Sequence, residues 1–272
     1  MPDKLYNILV PVDFTGKNKW AIAKAIELSN SFHCNVHLVY VKSRQYSLFE
    51  RNAGKENSLK KLEQLKDTYR QQVCGEGKLE ISLLSGNRQK QLARYIQQYE
   101  MDLVVTGLAR FNVLHRIASS VSISRLARKT NIPVLGVRPG GLVCHFKKIV
   151  LPVSGEIPMQ QIRLAALLGR AFKSTVYFVS LRKHADDKNA NIVDKALEVV
   201  QSISVIPVQC FLLEGQNLAK STLEFSKKIN ADLIMVNPIK DFRLPGLWNR
   251  LTNKLLSYGS KIPVVTVASN TR

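Results

Sequence analysis

The residues best placed to do chemistry in this chain are Asp13 and the segment from Gly107 to Val121. Asp13 closes the apolar run Ile8-Leu9-Val10-Pro11-Val12, and the later segment holds Arg110, His115, Arg116, Ser119 and Ser120. A carboxylate between a strand and a helix serves either a ligand or its own turn, where it accepts backbone N–H bonds. Arg110, His115 and Arg116 offer side-chain charge that phosphate oxygens pair with, guanidinium above all. The alternative for those three is a solvated basic loop. Catalytic motifs are missing: His33, His37, His115, His145 and His184 lack HExxH or similar spacing, and neither a GxSxG elbow nor a GxxxxGK(S/T) loop occurs. Nucleophilic, metal and kinase chemistry are therefore not expected. Cys34, Cys74, Cys144 and Cys210 show no CxxC spacing, and Cys34 and Cys210, beside or within apolar runs, read as small core hydrophobes.

The elements that must position these groups follow from periodicity. Residues 7–12 form a short apolar run, followed by Asp13 and Gly16, and Trp20, Ala21, Ala23, Ile26 and Leu28 then recur at helical spacing. Strands are expected at 36–41, 79–84, 103–106 and 134–137. Helices are expected around Leu59 to Tyr69, around Leu92 to Tyr99, and at Val121 to Ala127. Strands alternating with helices imply parallel pairing through right-handed crossovers, an α/β fold with a doubly wound sheet. Ligands in such sheets sit beyond the carboxyl ends of the strands, which places Asp13, Val41 and Gly107 on one rim. Asp102 and Asp232, just before a strand, are expected to shape the turn leading into it. Trp20 is expected in the core, and Trp248 at an interdomain or partner contact.

The pattern is written twice. Ile8 to Asp13 returns as Ile149-Val150-Leu151-Pro152-Val153-Ser154, and Ile132-Pro133-Val134-Leu135 returns as Ile262-Pro263-Val264-Val265. Leu83-Leu84-Ser85-Gly86 matches Leu212-Leu213-Glu214-Gly215, and Met101-Asp102-Leu103-Val104-Val105 matches Ala231-Asp232-Leu233-Ile234-Met235-Val236. The second copy is shorter by about ten residues in the stretch that corresponds to Val41–Leu83, the most polar of the first copy. Strands in the second copy are expected near 149–153, 175–181, 207–213, 232–236 and 263–267. A unit of this length is an ordinary domain. Two domains are expected, 1–142 and 143–272, with Pro139-Gly140-Gly141 punctuating the boundary.

With 272 residues and 45% hydrophobic content, each half can bury its own core. No leader-like segment and no apolar run of the roughly 18 to 20 residues needed to span a bilayer is present, so cytoplasmic residence is expected. The net charge of +20 divides evenly: residues 1–142 carry 22 basic and 11 acidic side chains, residues 143–272 carry 18 and 9. An even excess suggests an anionic partner without locating one, and equally describes a solvated basic surface.

In order and spacing these motifs resemble the universal stress protein family, twice over. The residues that carry the resemblance are Ile-Leu-Val-Pro-Val-Asp-Phe-Thr over 8–15, Gly86-Asn87, Asp102 to Gly107 and Ile132-Pro133-Val134-Leu135. It implies two Rossmann-like, adenine nucleotide alpha hydrolase-like domains. Each would have a five-stranded parallel sheet, and the two would pair about a pseudo-twofold much as single-domain members dimerise. Nucleotide-binding members follow strand four with Gly, two residues, Gly, nine residues, Gly and then Ser or Thr, because backbone amides must approach phosphate closely. Here, aligned on Gly107, the segment is shorter than the pattern: Arg110, Val113 and Ser119 stand at the glycines, with five residues rather than nine between the last two, and only Ser120 keeps its type. By this resemblance the candidate ligand positions are Pro11, Val12, Asp13, Val41, Gly107, Arg110, Ser119, Ser120 and Val121. Asp13 would hold the adenosine end and Val41 would offer a backbone contact to the base. The second copy has Ser154 in place of the aspartate, and Asn237 to Trp248 forms no cradle.

The resemblance implies a stress-response protein that binds a ligand or partner without turnover. It admits ATP or another adenine nucleotide in the first domain and disfavours it in the second. A nucleotide sensor that uses the first domain alone, and a basic protein that associates with nucleic acid or anionic surfaces, are the alternatives. The partners implied are the intramolecular domain pair, a further homodimer and an anionic small molecule.

Overall fold

The computed structural model describes residues 4–42, 50–108, 123–138, 145–154, 157–182, 188–237 and 262–268. The chain divides into two compact units, Pro2–Leu142 and Val143–Arg272. The first contains β1 (Asn7–Val12), α1 (Asn18–Phe32), β2 (Asn35–Lys42), α2 (Glu50–Arg70), β3 (Leu79–Ser85), α3 (Arg88–Gln98), β4 (Leu103–Gly107), α4 (Ile123–Thr130) and β5 (Val134–Val137). Its strands run parallel in the order β3-β2-β1-β4-β5. The second contains β6 (Lys148–Pro152), α5 (Met159–Phe172), β7 (Thr175–Leu181), α6 (Lys188–Ile203), β8 (Val208–Leu213), α7 (Leu218–Lys228), β9 (Leu233–Val236) and β10 (Val264–Thr266). Its order, β8-β7-β6-β9-β10, repeats that of the first. Each unit is thus an α/β domain with a five-stranded, doubly wound parallel sheet. Among the described residues, no helix is long and apolar enough to cross a membrane.

The central strands are buried on both faces, which is why they read as unbroken apolar runs rather than alternating ones. Ile8, Leu9, Val10 and Val12 are each 0% exposed. Helix α1 presents Ala21, Ile22, Ala25, Ile26, Leu28 and Phe32 to the core and stops at His33, which takes the left-handed conformation. Helix α5 stops in the same way at Lys173. Superposing these two ends sets Phe32 on Phe172, a shift of 140 that carries the buried pattern of α1 onto that of α5. The shorter second copy shows up in its middle helix: α6 has 16 residues where α2 has 21.

Asp102 and Asp232 perform the same task in the two domains. Asp102 Oδ2 accepts the N–H groups of Tyr6 (2.7 Å) and Asn7 (3.0 Å), and Asp232 Oδ2 accepts that of Lys148 (2.9 Å). Each thereby fixes the start of the central strand against the segment that leads into its neighbour. Burial pushes the Asp102 carboxyl above its usual range, and these N–H bonds partly offset that rise.

One packing position separates the domains by chemistry. In the first, His37 Nδ1 lies 3.0 Å from the Tyr95 hydroxyl, which lies 2.9 Å from Ser82 Oγ. In the second, the corresponding places hold Tyr177, Phe225 and Phe211, with the two phenylalanine rings 4.9 Å apart. A hydrogen-bonded polar cluster has become an aromatic one. Burial pushes the His37 imidazole below its ordinary value and the Tyr95 phenol above it, so both favour their neutral forms.

Candidate functional site

The opening at the carboxyl rim of the first domain is built by a proline. Strand β1 pairs with β2 over its whole length, Asn7 to Val12, but with β4 only at Ile8 and Leu9. Proline has no N–H to donate, so Pro11 cannot extend the ladder on the side where its donor would point. In the second domain β6 likewise pairs with β9 only at Ile149 and Val150, and Pro152 stands at the matching place. The parting of β1 from β4 is the point where strand order reverses, the usual ligand crevice of an open α/β sheet.

The turn Asp13–Lys17 occupies that opening. Asp13 Oδ1 accepts the Thr15 N–H at 3.1 Å and the Thr15 hydroxyl at 2.5 Å, while Oδ2 pairs with Lys17 Nζ at 2.6 Å. Burial pushes the Asp13 carboxyl up, but the bonds from Lys17 and Thr15 outweigh it and hold the group below its ordinary value. Phe14 takes the left-handed backbone conformation (φ 57°) and lays its ring on Tyr40, with centroids 4.6 Å apart. Across the opening, a Cβ added to Gly107 would fall 2.3 Å from the Lys17 carbonyl oxygen. The glycine at the end of β4 therefore admits the protein's own turn.

Arg88, the first residue of α3, reaches the same rim and donates from Nη2 to the Val12 carbonyl at 2.8 Å. Its helix begins at Asn87, whose side chain accepts the Lys90 N–H, after Gly86 at φ 127°. Burial lowers the Arg88 guanidinium from its ordinary value, and the Asp13 charge works against that fall. Two cations and one carboxylate thus meet at the end of β1. The second domain has none of them: Ser154 replaces Asp13, Pro158 precedes α5 where Lys17 precedes α1, and Leu218 opens α7 where Arg88 opens α3.

Of the positions singled out from sequence, the structure brings Val12, Asp13 and Gly107 to this rim, with Pro11 directing the split and Val41 buried at the end of β2. Arg110, His115, Arg116, Ser119, Ser120 and Val121 lie outside the described residues, as do Cys144 and Trp248. Sequence reasoning missed Lys17 and Arg88. The i,i+4 spacing of Asp13 and Lys17 was the available signal for the first; nothing in the linear order joins Arg88 to Val12. Two further expectations are corrected. Cys210 is exposed at the sheet edge rather than in a core, and Trp20 is only partly buried, under the Lys19 ammonium, 4.9 Å from its ring centroid. No group of three His, Cys, Asp or Glu among the described residues is placed to hold a metal ion.

A second concavity, an open cleft of about 500 Å³, lies at the opposite end of the strands between Tyr6, Ile96, Glu100, Asp102 and Thr130. Its polar walls are largely engaged within the protein, Asp102 by Tyr6 and Asn7 and the Thr130 hydroxyl by the Leu126 carbonyl. The rim, where charge converges on a strand terminus, is the better candidate.

Residues 5–138 match the universal stress protein family. A universal stress protein from Archaeoglobus fulgidus is similar over 96% of this chain and 98% of its own, with a TM-score of 0.74 at 12% identity. A functionally unknown protein from Pseudomonas aeruginosa PAO1 is similar over 98% and 94%, with a TM-score of 0.64 at 15% identity. At these identities the likeness is one of fold, and it extends through both domains. No curated relative matches the chain. With the family matched over the first domain and the same strand order repeated in the second, the chain belongs to the universal stress protein family and carries two such domains in tandem.

Proposed function

We propose that this protein acts in the stress response by binding a ligand or partner without turnover, and that its first domain holds the ligand-facing rim. The observation that carries this reading is the saturation of Asp13. Both carboxylate oxygens are taken by Thr15 and Lys17 within one turn, and the Lys17 carbonyl fills the space against Gly107. A ribose or base would have to displace bonds already made in a partly buried setting, and each such exchange nets little free energy. The second domain lacks the charged rim and serves as a structural partner.

Calorimetric titration of ATP into the intact chain, with a parallel phosphate-release assay, tests this. The expected results are no micromolar binding to the wild type and no hydrolysis; micromolar affinity with a clear rate would overturn the non-enzymatic reading. One observation favours a second reading, a nucleotide sensor confined to the first domain: Lys17 and Arg88 bring two positive charges to a rim with one carboxylate. In that case Lys17→Ala, which removes one of those charges, lowers adenine nucleotide affinity, and Asp13→Ala abolishes it. Unchanged affinity in Asp13→Ala refutes the sensor.

A further inference from the structure

The second domain ends in a strand that lacks the features by which sheet edges avoid pairing. Strand β8 reads Val208-Gln209-Cys210-Phe211-Leu212-Leu213 and runs in unbroken parallel register with β7 from Val208 to Leu213. It contains no charge, no proline and no bulge, the usual means of blunting an edge. The Val176 N–H donates to the Pro207 carbonyl and the Arg182 N–H to the Leu213 carbonyl, each at 2.9 Å, which sets the parity of the ladder. By alternation, the N–H and C=O groups of Val208, Cys210 and Leu212 point away from β7. Among the described residues no strand pairs with that side.

Its side chains are as open as its backbone. Phe211 is 37% exposed and Leu212 41%, and just upstream Ile203 is 38% and Val205 102% exposed. One face is anchored, since Phe211 packs on Phe225, while Cys210 is an exposed free thiol. The matching edge of the first domain is built otherwise. Strand β3 carries an exposed carboxylate, Glu80, with Ser82 and Ser85 beside it and Lys78 immediately before it.

We propose that β8 is an association surface for a second copy of this chain, joined as an antiparallel β8–β8 pair about a twofold axis. The electrostatics select that occupant. A chain of net charge +20 repels its own copies over most of its surface, yet no charged residue occurs between Glu198 and Glu214. Two copies can therefore approach along this strip without a like-charge contact. An acidic partner would instead be drawn to the basic surface elsewhere. A strand paired with itself under twofold symmetry meets an identical strand running the other way, so each outward donor finds an acceptor. Lys78 and Glu80 guard the matching edge β3 of the first domain, so the self-pairing surface is β8 and the twofold pair closes on itself.

Sedimentation equilibrium of the full chain, wild type and Leu212→Lys, tests the surface. The wild type is expected to dimerise. Leu212→Lys is expected to weaken the dimer by about 100-fold, because symmetry places the new charge in the interface twice. Since Leu212 is exposed, the variant keeps its fold, checked by circular dichroism. Hydrogen exchange on the wild type at low and high protein concentration gives an independent reading, with concentration-dependent protection expected at the Val208, Cys210 and Leu212 amides. A chain that stays monomeric, a dimer indifferent to Leu212→Lys, or amide protection that does not change with concentration overturns the proposal.

Discussion

Lys24 is an ammonium in the wrong place for one, and its counterpart in the other domain shows what the position tolerates. It lies in the middle of α1, is 0% exposed, and pairs with Glu27 Oε2 at 2.7 Å, Glu27 being 24% exposed. With Phe32 set on Phe172, the same two positions in α5 are Leu164 and Leu167, 1% and 6% exposed. One helix site is thus occupied by an ion pair in the first copy and by two leucines in the second. Glu27→Leu alone removes the carboxylate that pairs with a fully buried ammonium, and breaking a buried pair in this way costs about 3–5 kcal/mol. Lys24→Met alone costs less, because Glu27 can recover part of its hydration. The double variant Lys24→Met/Glu27→Leu removes both desolvation penalties and keeps an unbranched stem in the space, so its stability falls within about 1 kcal/mol of wild type or rises above it.

Urea unfolding is the assay. The chain has two tryptophans, so a Trp248→Phe background lets Trp20 report the first domain alone. With a slope of about 2 kcal/mol per molar urea, Glu27→Leu lowers the midpoint by about 2 M, and the double variant restores it. If the double variant is as unstable as Glu27→Leu, the pair is stabilising in its own right and the comparison with α5 does not transfer.

Two more outcomes follow from the rim. Gly107→Ala drives a Cβ to 2.3 Å from the Lys17 carbonyl, which only backbone movement relieves. The expected loss is about 3 kcal/mol, at the upper end for overpacking, read as a lowered melting temperature, with Gly16→Ala, where no atom lies within 4 Å of the added Cβ, as the unaffected control. The held-down Asp13 carboxyl contributes stability that is fully present above the ordinary aspartate range and is lost as pH falls through its lowered folded value. The melting-temperature gap between wild type and Asp13→Asn is therefore expected to be open at pH 7 and to close in acid; a gap independent of pH refutes the assignment.

The architecture was legible because two signals agreed: apolar runs of strand length separated by helical spacing, and the recurrence of the whole series. Strand boundaries shifted by a residue at most, whereas α3, expected from about Leu92, begins at Arg88, and α2, expected from about Leu59, begins at Glu50. The rim was half legible. Asp13 and Gly107 stood out by type and place, but what fills the space between them is the Lys17 main chain, which has no sequence signature. Arg88 arrives from 76 positions away. The burial of Lys24 is a tertiary fact, which its residue type in the linear order does not announce. Cys210 failed for the opposite reason. An apolar strand reads as interior, and only the strand order reveals that β8 is the last one.

The clasp formed by Asp102 has a consequence for how the chain is made. It holds Tyr6 and Asn7 from 96 and 95 positions away, so β1 lacks its β4 flank until most of the first domain has left the ribosome. At ordinary elongation rates that delay is roughly 5–20 s, during which the most apolar segment of the domain has no permanent cover. The second domain repeats the wait, Lys148 meeting Asp232 after 84 residues. Synthesis that stalls short of Asp102 or Asp232 therefore leaves an aggregation-prone strand exposed, and the burden this protein places on nascent-chain chaperones falls in two pulses, one for each domain.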